Sequence, residues 1–90
     1  MEVVNSKFPD VKIIKIKSYS DSRGFFFESF NKKKFEKLIN YKVDFVQDNH
    51  SSSFKGVFRG FHYQINPFAQ DKLIRVIKGS IIDFVIDIRK

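Results

Sequence analysis

A chain of 90 residues with a formal net charge of +7 suits one small domain or part of a larger one. Its 12 phenylalanines supply enough apolar material for a core, which argues against a disordered chain, and the absence of cysteine excludes a disulfide framework. No apolar run approaches the ~18 residues needed to cross a membrane, and the N-terminus lacks the regions of a signal peptide. We therefore expect a cytoplasmic protein with no membrane partner.

The first half of the chain predicts two strands and one helix. Nearly alternating apolar and lysine residues indicate a strand over residues 11–18, and residues 19–24 form a turn that ends in Gly24. An aromatic strand follows at residues 24–30. Asn31 is a plausible N-cap for a helix over residues 32–39, whose apolar stripe consists of Phe35, Leu38 and Ile39, and Asn40 can end it in a left-handed conformation.

The second half predicts strands alone, over residues 43–49, 57–64, 72–77 and 81–88. Turns recur every eight to twelve residues, a spacing typical of a sandwich, jelly roll or barrel. The expected fold class is all-β, meaning mostly β with one short helix, in a single domain over residues 1–90. The chain stops just after its most apolar strand, so we expect either part of a larger fold or completion by another chain.

The strand over residues 57–64 carries the most chemistry. Because residues i and i+2 share a face of a strand, Gly60, His62 and Gln64 should point one way, and Arg59 with its i+2 neighbours the other. A histidine on a rigid strand is a credible general base. The alternative is a half-buried sheet histidine with a satisfied hydrogen bond.

The basic charge favours an anionic partner such as a nucleotide, phosphate or nucleic acid. Its one dense cluster, Lys32 to Lys34 followed by Lys37, falls on the predicted helix and can equally be a solvated face. The chain has no long basic tail and no aromatic signature of RNA binding, so we expect no nucleic-acid partner.

Four polar clusters interrupt the apolar strands, at residues 21–30, 45–51, 56–64 and 72–79. In this order and spacing they resemble the N-terminal half of the dTDP-4-dehydrorhamnose 3,5-epimerase family, whose members are about twice this length. The resemblance implies a partial cupin jelly roll. It also implies a deoxysugar-nucleotide epimerase that needs no cofactor, and a chain that is truncated relative to the family.

The resemblance assigns roles to particular residues. His62 matches the general base, and Lys72 is the second candidate catalytic residue. The candidate substrate-binding residues are Arg23, Phe26, Glu28, Gln47, Asp48, Asn49, Arg59 and Lys72. Five of them have a plainer alternative: a turn residue for Arg23, Asp48 and Asn49, and a solvated strand charge for Glu28 and Lys72.

The proposed substrate, dTDP-4-dehydro-6-deoxyglucose, has a ketone at C4, and the flanking carbons can each lose a proton to form an enolate. Epimerisation needs a base, an acid and a positive group beside the developing oxyanion. The family's acid, a tyrosine, and the aspartate that orients its histidine lie in the half beyond Lys90, and neither Tyr63 nor Asp48 matches them. Epimerisation at C3, at C5 or at both therefore stays open, as does an inactive remnant that binds the dTDP-sugar or only dimerises.

Two further expectations concern partners and metals. Family members are dimers whose N-terminal strands join the partner's sheet, so we expect a homodimer with N-terminal strand exchange, or a second chain that supplies the C-terminal half. Metal-binding cupins usually carry a His-x-His pair where this chain has His62-Tyr63-Gln64. Glutamine is a poor ligand for transition metals, so we expect no metal.

Overall fold

The computed structural model describes residues 1–89 and contains four strands and one helix. The elements are β1 (Glu2–Asn5), β2 (Lys12–Lys15), β3 (Ser18–Asp21), β4 (Gly24–Phe27) and α1 (Lys32–Ile39). β1 pairs with β2 and β3 with β4, each time antiparallel, to give two two-stranded sheets. The predicted class, mostly β with one short helix, is confirmed.

The β1–β2 hairpin presents one half-buried face, because side chains alternate between the two faces of a strand. Val3 lies opposite Ile14 in the register, and both are half-buried. The adjacent pair, Val4 and Ile13, is exposed. β2 falls inside the strand predicted at residues 11–18 and is shorter than predicted. β1 was not predicted.

The β3–β4 hairpin closes through a two-residue turn, so the turn predicted over residues 19–24 is too long. Asp21 pairs with Gly24 at the end of the ladder. The Asp21 carboxylate accepts the backbone N–H of Arg23 at 2.9 Å, which is the side-chain mimic of a turn that aspartate favours. Gly24 has φ 133°, a conformation that is strained for residues with a Cβ atom. β4 ends at Phe27, three residues before the predicted strand end.

Helix α1 has the predicted boundaries and both predicted caps. Asn31, extended at φ −143°, accepts the Lys34 N–H through its side chain. At the other end Asn40 takes the left-handed conformation, with φ 68°, and its N–H donates to the Glu36 carbonyl. A polar N-cap side chain contributes ~1 kcal/mol to helix stability.

The buried core lies on one side of α1. Phe35, Ile39 and Val43 are the buried apolar residues among those described, and Ile14 of β2 packs against them. The rings of Phe30 and Phe45 lie 5.4 and 5.8 Å from that of Phe35, in tilted and edge-on arrangements that aromatic pairs prefer. The cluster therefore joins the helix to the first hairpin. Burying side chains of this size is worth about 1.5–3 kcal/mol each.

The strands predicted at residues 43–49, 57–64, 72–77 and 81–88 are absent from the described structure. Outside the hairpins and the helix, the backbone hydrogen bonds beyond residue 43 are turn contacts, from Val57 to Phe54 at 3.2 Å and from Phe68 to Ile65 at 2.8 Å. A strand pattern marks a segment suited to pairing, but a strand forms only when a neighbouring segment supplies the hydrogen bonds. These segments find no such neighbour within residues 1–89.

The chain divides into two compact units, Met1–Ser51 and Ser52–Lys90, and each is described by itself. The first contains every helix and strand of the described residues and the buried core. In the second, residues 52–89 are all exposed. No helix in the described part of the chain has the length and apolarity required to span a membrane. The single domain over residues 1–90 stays a prediction.

Candidate functional site

The predicted site residues are divided between the two units, and all of them are exposed. The first unit holds Arg23, Phe26, Glu28, Gln47, Asp48 and Asn49. The second holds Arg59, His62 and Lys72. Their surroundings are therefore given separately for each unit.

Arg23 occupies the turn of the β3–β4 hairpin and is held by Asp21. Its Nη2 and Nε atoms lie 2.6 and 3.2 Å from the same carboxylate oxygen of Asp21. The Asp21 carboxylate also accepts the Arg23 backbone N–H. The paired guanidinium lowers the pKa of Asp21, and the carboxylate raises the pKa of Arg23. Arg23 is thus a turn residue whose guanidinium is oriented by Asp21, and its role in substrate binding stays a prediction.

The aromatic segment of β4 divides between the two faces of its hairpin. Phe25 and Phe27 share one face, and their rings are parallel at 5.9 Å. Phe26 lies on the other face, 72% exposed, opposite Tyr19 in the register. The Lys17 ammonium sits 5.2 Å from the centre of the Tyr19 ring. The exposed Phe26 ring can stack on a planar aromatic group, and the ammonium beside Tyr19 can attract an anion attached to that group.

Glu28 lies between β4 and α1, past the end of the strand predicted to carry it. Its two carboxylate oxygens are bound separately, one by Lys34 Nζ at 3.2 Å and the other by Asn31 Nδ2 at 3.4 Å. The hydrogen bond from Lys34, followed by that from Asn31, lowers the pKa of Glu28. Because Asn31 is also the N-cap of α1, the start of the helix determines where this carboxylate lies.

The segment with Gln47, Asp48 and Asn49 is irregular rather than a strand. Gln47 Nε2 donates to Asn49 Oδ1 at 3.2 Å, so the structure brings these two amides together. Asp48 lies between them and is exposed. The donor and acceptor groups that remain on the amides can bind sugar hydroxyls or a base edge.

In the second unit, Arg59 is the predicted site residue with hydrogen-bond partners. Its Nε donates to Ser53 Oγ at 2.8 Å and its Nη2 to the Ser52 carbonyl at 3.1 Å. His62 and Lys72 are exposed, and no hydrogen bond or ion pair joins either side chain to another described residue. The alternation of faces predicted for residues 57–64 does not apply, because no strand forms there.

Several partners of the site residues were missed from the sequence. The Asp21–Arg23 pair follows from the Asp-x-Arg-Gly turn, since aspartate accepts the N–H two residues on. Asn31 was predicted as a cap but not as a donor to Glu28. The partners of Arg59 are six and seven residues away, and no local pattern reveals them. Within residues 1–89, no three acidic or histidine side chains cluster as metal ligands would.

Comparison with known proteins shows the family to which the chain is related. The sequence model of the dTDP-4-dehydrorhamnose 3,5-epimerase family matches residues 5–90. A relative of that name from Shigella flexneri is 54% identical over 90 residues, covering 100% of this chain and 50% of its own length. Those from Escherichia coli (strain K12) and Pseudomonas aeruginosa are 48% and 46% identical, covering 99% and 100% of this chain and 48% and 49% of theirs.

The chain spans about half the length of these curated relatives. A match of this identity that leaves almost no residue of the chain uncovered indicates common descent and not a shared motif alone. The chain therefore belongs to the dTDP-4-dehydrorhamnose 3,5-epimerase family, whose fold is of the cupin type.

Proposed function

We propose that this chain serves as the N-terminal half of an epimerase that acts on dTDP-4-dehydro-6-deoxyglucose in dTDP-rhamnose biosynthesis. His62 is the general base that removes a proton from a carbon next to the C4 ketone. Lys72 stabilises the negative charge that develops on the ketone oxygen. Epimerisation results when the enolate receives a proton on the opposite face.

The residues proposed to bind substrate suit the parts of a nucleotide sugar. Guanidinium groups bind phosphate oxygens through two parallel N–H donors, so Arg23 and Arg59 are assigned to the diphosphate. Phe26 is an exposed ring suited to the thymine base. The polar groups of Glu28, Gln47, Asp48 and Asn49 bind hydroxyls and polar edges of the ligand. Proton transfer next to a ketone requires no redox cofactor.

The observation that carries this proposal is the similarity to proteins named dTDP-4-dehydrorhamnose 3,5-epimerase, which reaches 54% identity over 90 residues. Such similarity supports the same substrate class and reaction type. It leaves the roles of single residues to be tested one by one.

Proton exchange in deuterated water tests the base. The chain is incubated with dTDP-4-dehydro-6-deoxyglucose, alone and with the C-terminal half of the Shigella flexneri relative, and deuterium at C3 and C5 is measured by NMR. We expect His62→Asn to slow exchange by about 10²-fold or more, the usual contribution of a general base. His50→Asn changes the other histidine and is expected to leave exchange unaltered.

The positions that gain deuterium identify the carbons that are epimerised. Full exchange in His62→Asn would remove His62 from the role of base. No exchange in any combination would remove epimerase activity from the proposal.

A second function, binding of the dTDP-sugar without turnover, is favoured by one observation. No carboxylate or hydroxyl among residues 1–89 hydrogen-bonds to His62, whereas a catalytic histidine is normally oriented by such a partner. This function predicts that calorimetry detects dTDP binding while deuterium exchange is absent. A folded chain that does not bind dTDP would contradict it.

The proposed partner is a second copy of the chain, joined by exchange of N-terminal strands, or a separate chain that supplies the C-terminal half. Each hairpin is a two-stranded sheet, so its outer edges are open to pairing within the described structure. We expect no nucleic-acid partner, and the cytoplasmic location stays a prediction. Light scattering distinguishes a dimer from a monomer of 10.7 kDa.

A further inference from the structure

Asp21 has no role in the site as described so far, yet it contacts Arg23 in two ways. One carboxylate oxygen accepts the Arg23 backbone N–H at 2.9 Å, which sets the turn. The other accepts from Nη2 at 2.6 Å and from Nε at 3.2 Å, and Nε also donates to the first oxygen at 3.4 Å, so the carboxylate holds the side chain as well. The carboxylate therefore controls both the place and the direction of this guanidinium.

The contact uses only one edge of the guanidinium. Arginine carries five N–H donors, and Asp21 occupies the Nε donor and one of the two on Nη2. Both donors on Nη1 and the second on Nη2 make no hydrogen bond to a described residue. Nη1 and Nη2 together form the edge that binds two phosphate oxygens at once. Asp21 thus leaves the edge that suits a diphosphate exposed to solvent.

Stability alone does not account for the pair. The side chains of Arg23 and Asp21 are 88% and 51% exposed, and exposed ion pairs contribute little to folding. A flexible arginine loses rotamer freedom when it binds a ligand, and an arginine that is already oriented loses less. An exposed pair that contributes little to folding can still favour ligand binding in this way.

A similar clasp, in which an aspartate accepts from both the backbone and the side chain of the arginine two residues on, occurs at Asp87 and Arg89. Asp87 accepts from the backbone N–H of Arg89 at 3.0 Å, from its Nε at 2.9 Å and from its Nη2 at 2.8 Å. The clasp is thus a local property of the Asp-x-Arg sequence and does not depend on the hairpin. Because Asp87 is not among the proposed site residues, it provides a matched control.

We infer that Asp21 is a positioning residue, which holds Arg23 side-on so that its Nη1–Nη2 edge is ready to bind the diphosphate of the nucleotide. The inference rests on the proposed function, because it names the group that Arg23 binds. It also predicts the direction in which the affinity for an anion changes when the Asp21 carboxylate is removed. Removing a carboxylate beside an anion site should tighten anion binding if charge alone mattered, whereas loss of the oriented arginine weakens it.

The test combines calorimetry with NMR on the 90-residue chain and its variants. Asp21→Asn keeps an oxygen that can accept the Arg23 backbone N–H, so the turn survives while the charged clasp is lost. Asp21→Ala removes both, and circular dichroism checks that each variant is folded. The ligands are dTDP and inorganic diphosphate, and the Nε–Hε signal of Arg23 reports how ordered its side chain is.

We expect Asp21→Asn to bind both ligands about fivefold more weakly, a loss of the size that freeing one long side chain produces. The Arg23 Nε–Hε signal should become that of a mobile side chain. Asp87→Asn should change neither the affinity nor the Arg23 signal.

Equal or tighter dTDP binding by Asp21→Asn, or an unchanged Arg23 signal, overturns the inference and leaves the proposed function intact. If the unsubstituted chain binds neither dTDP nor diphosphate, alone or with the C-terminal half of the Shigella flexneri relative, the proposed function fails and the inference fails with it. The two failures therefore give different results.

Discussion

At the scale of single residues, the clasp between Asp87 and Arg89 gives a direct prediction of pH dependence. The hydrogen bonds from the Arg89 side chain, followed by that from its backbone N–H, lower the pKa of Asp87 from 3.8 to about 2. Because the folded pKa is lowered, the stabilisation by this pair is fully present above pH 3.8. It is lost as the pH falls from there through about 2. Carbon-13 NMR of the carboxyl group should place its midpoint near the lower value.

The control for this prediction is Arg89→Ala, which removes both side-chain donors and should return the midpoint of Asp87 toward its ordinary value. Arg23→Ala should leave Asp87 unaffected and raise the midpoint of Asp21 instead, since each carboxylate is perturbed by its own arginine. An Asp87 midpoint that is the same with and without Arg89 would mean that the clasp is absent in solution.

Contacts between residues two apart in sequence can be predicted, and the clasps show why. Aspartate accepts the N–H two residues on in many turns, and an arginine at that position can reach back to the same carboxylate. Nothing comparable predicts Ser53 as a partner of Arg59, because that contact depends on the course of the intervening backbone. The sequence therefore allows the residues of the candidate site to be proposed. Of their contacts, it allows only those between residues close together in the sequence to be predicted.

At the scale of elements, Asn31 couples helix α1 to the candidate site. Its Oδ1 accepts the Lys34 N–H at 3.1 Å and caps the helix, while its Nδ2 donates to Glu28. We expect Asn31→Ala to lower the free energy of unfolding by about 1 kcal/mol through loss of the cap. Urea denaturation followed by circular dichroism measures this.

Asn31→Asp separates the two roles of the side chain. A carboxylate caps a helix as well as an amide does, so the free energy of unfolding should stay close to that of the unsubstituted chain. The aspartate side chain has no N–H to donate to Glu28, and its negative charge repels the Glu28 carboxylate. The pKa of Glu28 should therefore rise relative to the unsubstituted chain. Equal stability of Asn31→Ala and the unsubstituted chain would show that the cap does not form.

The same helix shows how much of the fold the sequence contains. Its cap residue, apolar stripe and left-handed terminal asparagine all lie within ten residues, and both boundaries were predicted correctly. Residues 81–88 have an equally clear strand pattern, yet no strand forms there in the described structure. A helix satisfies its backbone internally, whereas a strand takes its hydrogen bonds from another segment. Local sequence patterns are therefore sufficient to predict the helix, whereas for strands they indicate only which segments are suited to pairing.

At the scale of the whole molecule, the buried side chains among residues 1–89 all belong to the first unit. Phe35, Ile39 and Val43 form its core, while large apolar side chains of the second unit are open to water, with Phe54 91% and Ile82 81% exposed. Soluble domains rarely leave so many large apolar groups uncovered unless another surface packs on them. The proposed partner, either a second copy or a chain that supplies the C-terminal half, would be the surface that covers these groups.

Hydrogen exchange tests whether a chain with the C-terminal half is that partner. Alone, the amides of residues 72–88 lack ladder hydrogen bonds and should exchange rapidly, whereas those of α1 are protected by helical bonds and the core beside them. On addition of the C-terminal half of the Shigella flexneri relative, which is 54% identical to this chain over the shared half, we expect protection of residues 72–88 by at least about tenfold. The α1 amides serve as the internal reference, because their bonds are complete without a partner.

Protection that appears instead when the concentration of this chain alone is raised would identify a second copy as the partner. Rapid exchange under both conditions would exclude both partners, because a strand that pairs must protect its amides.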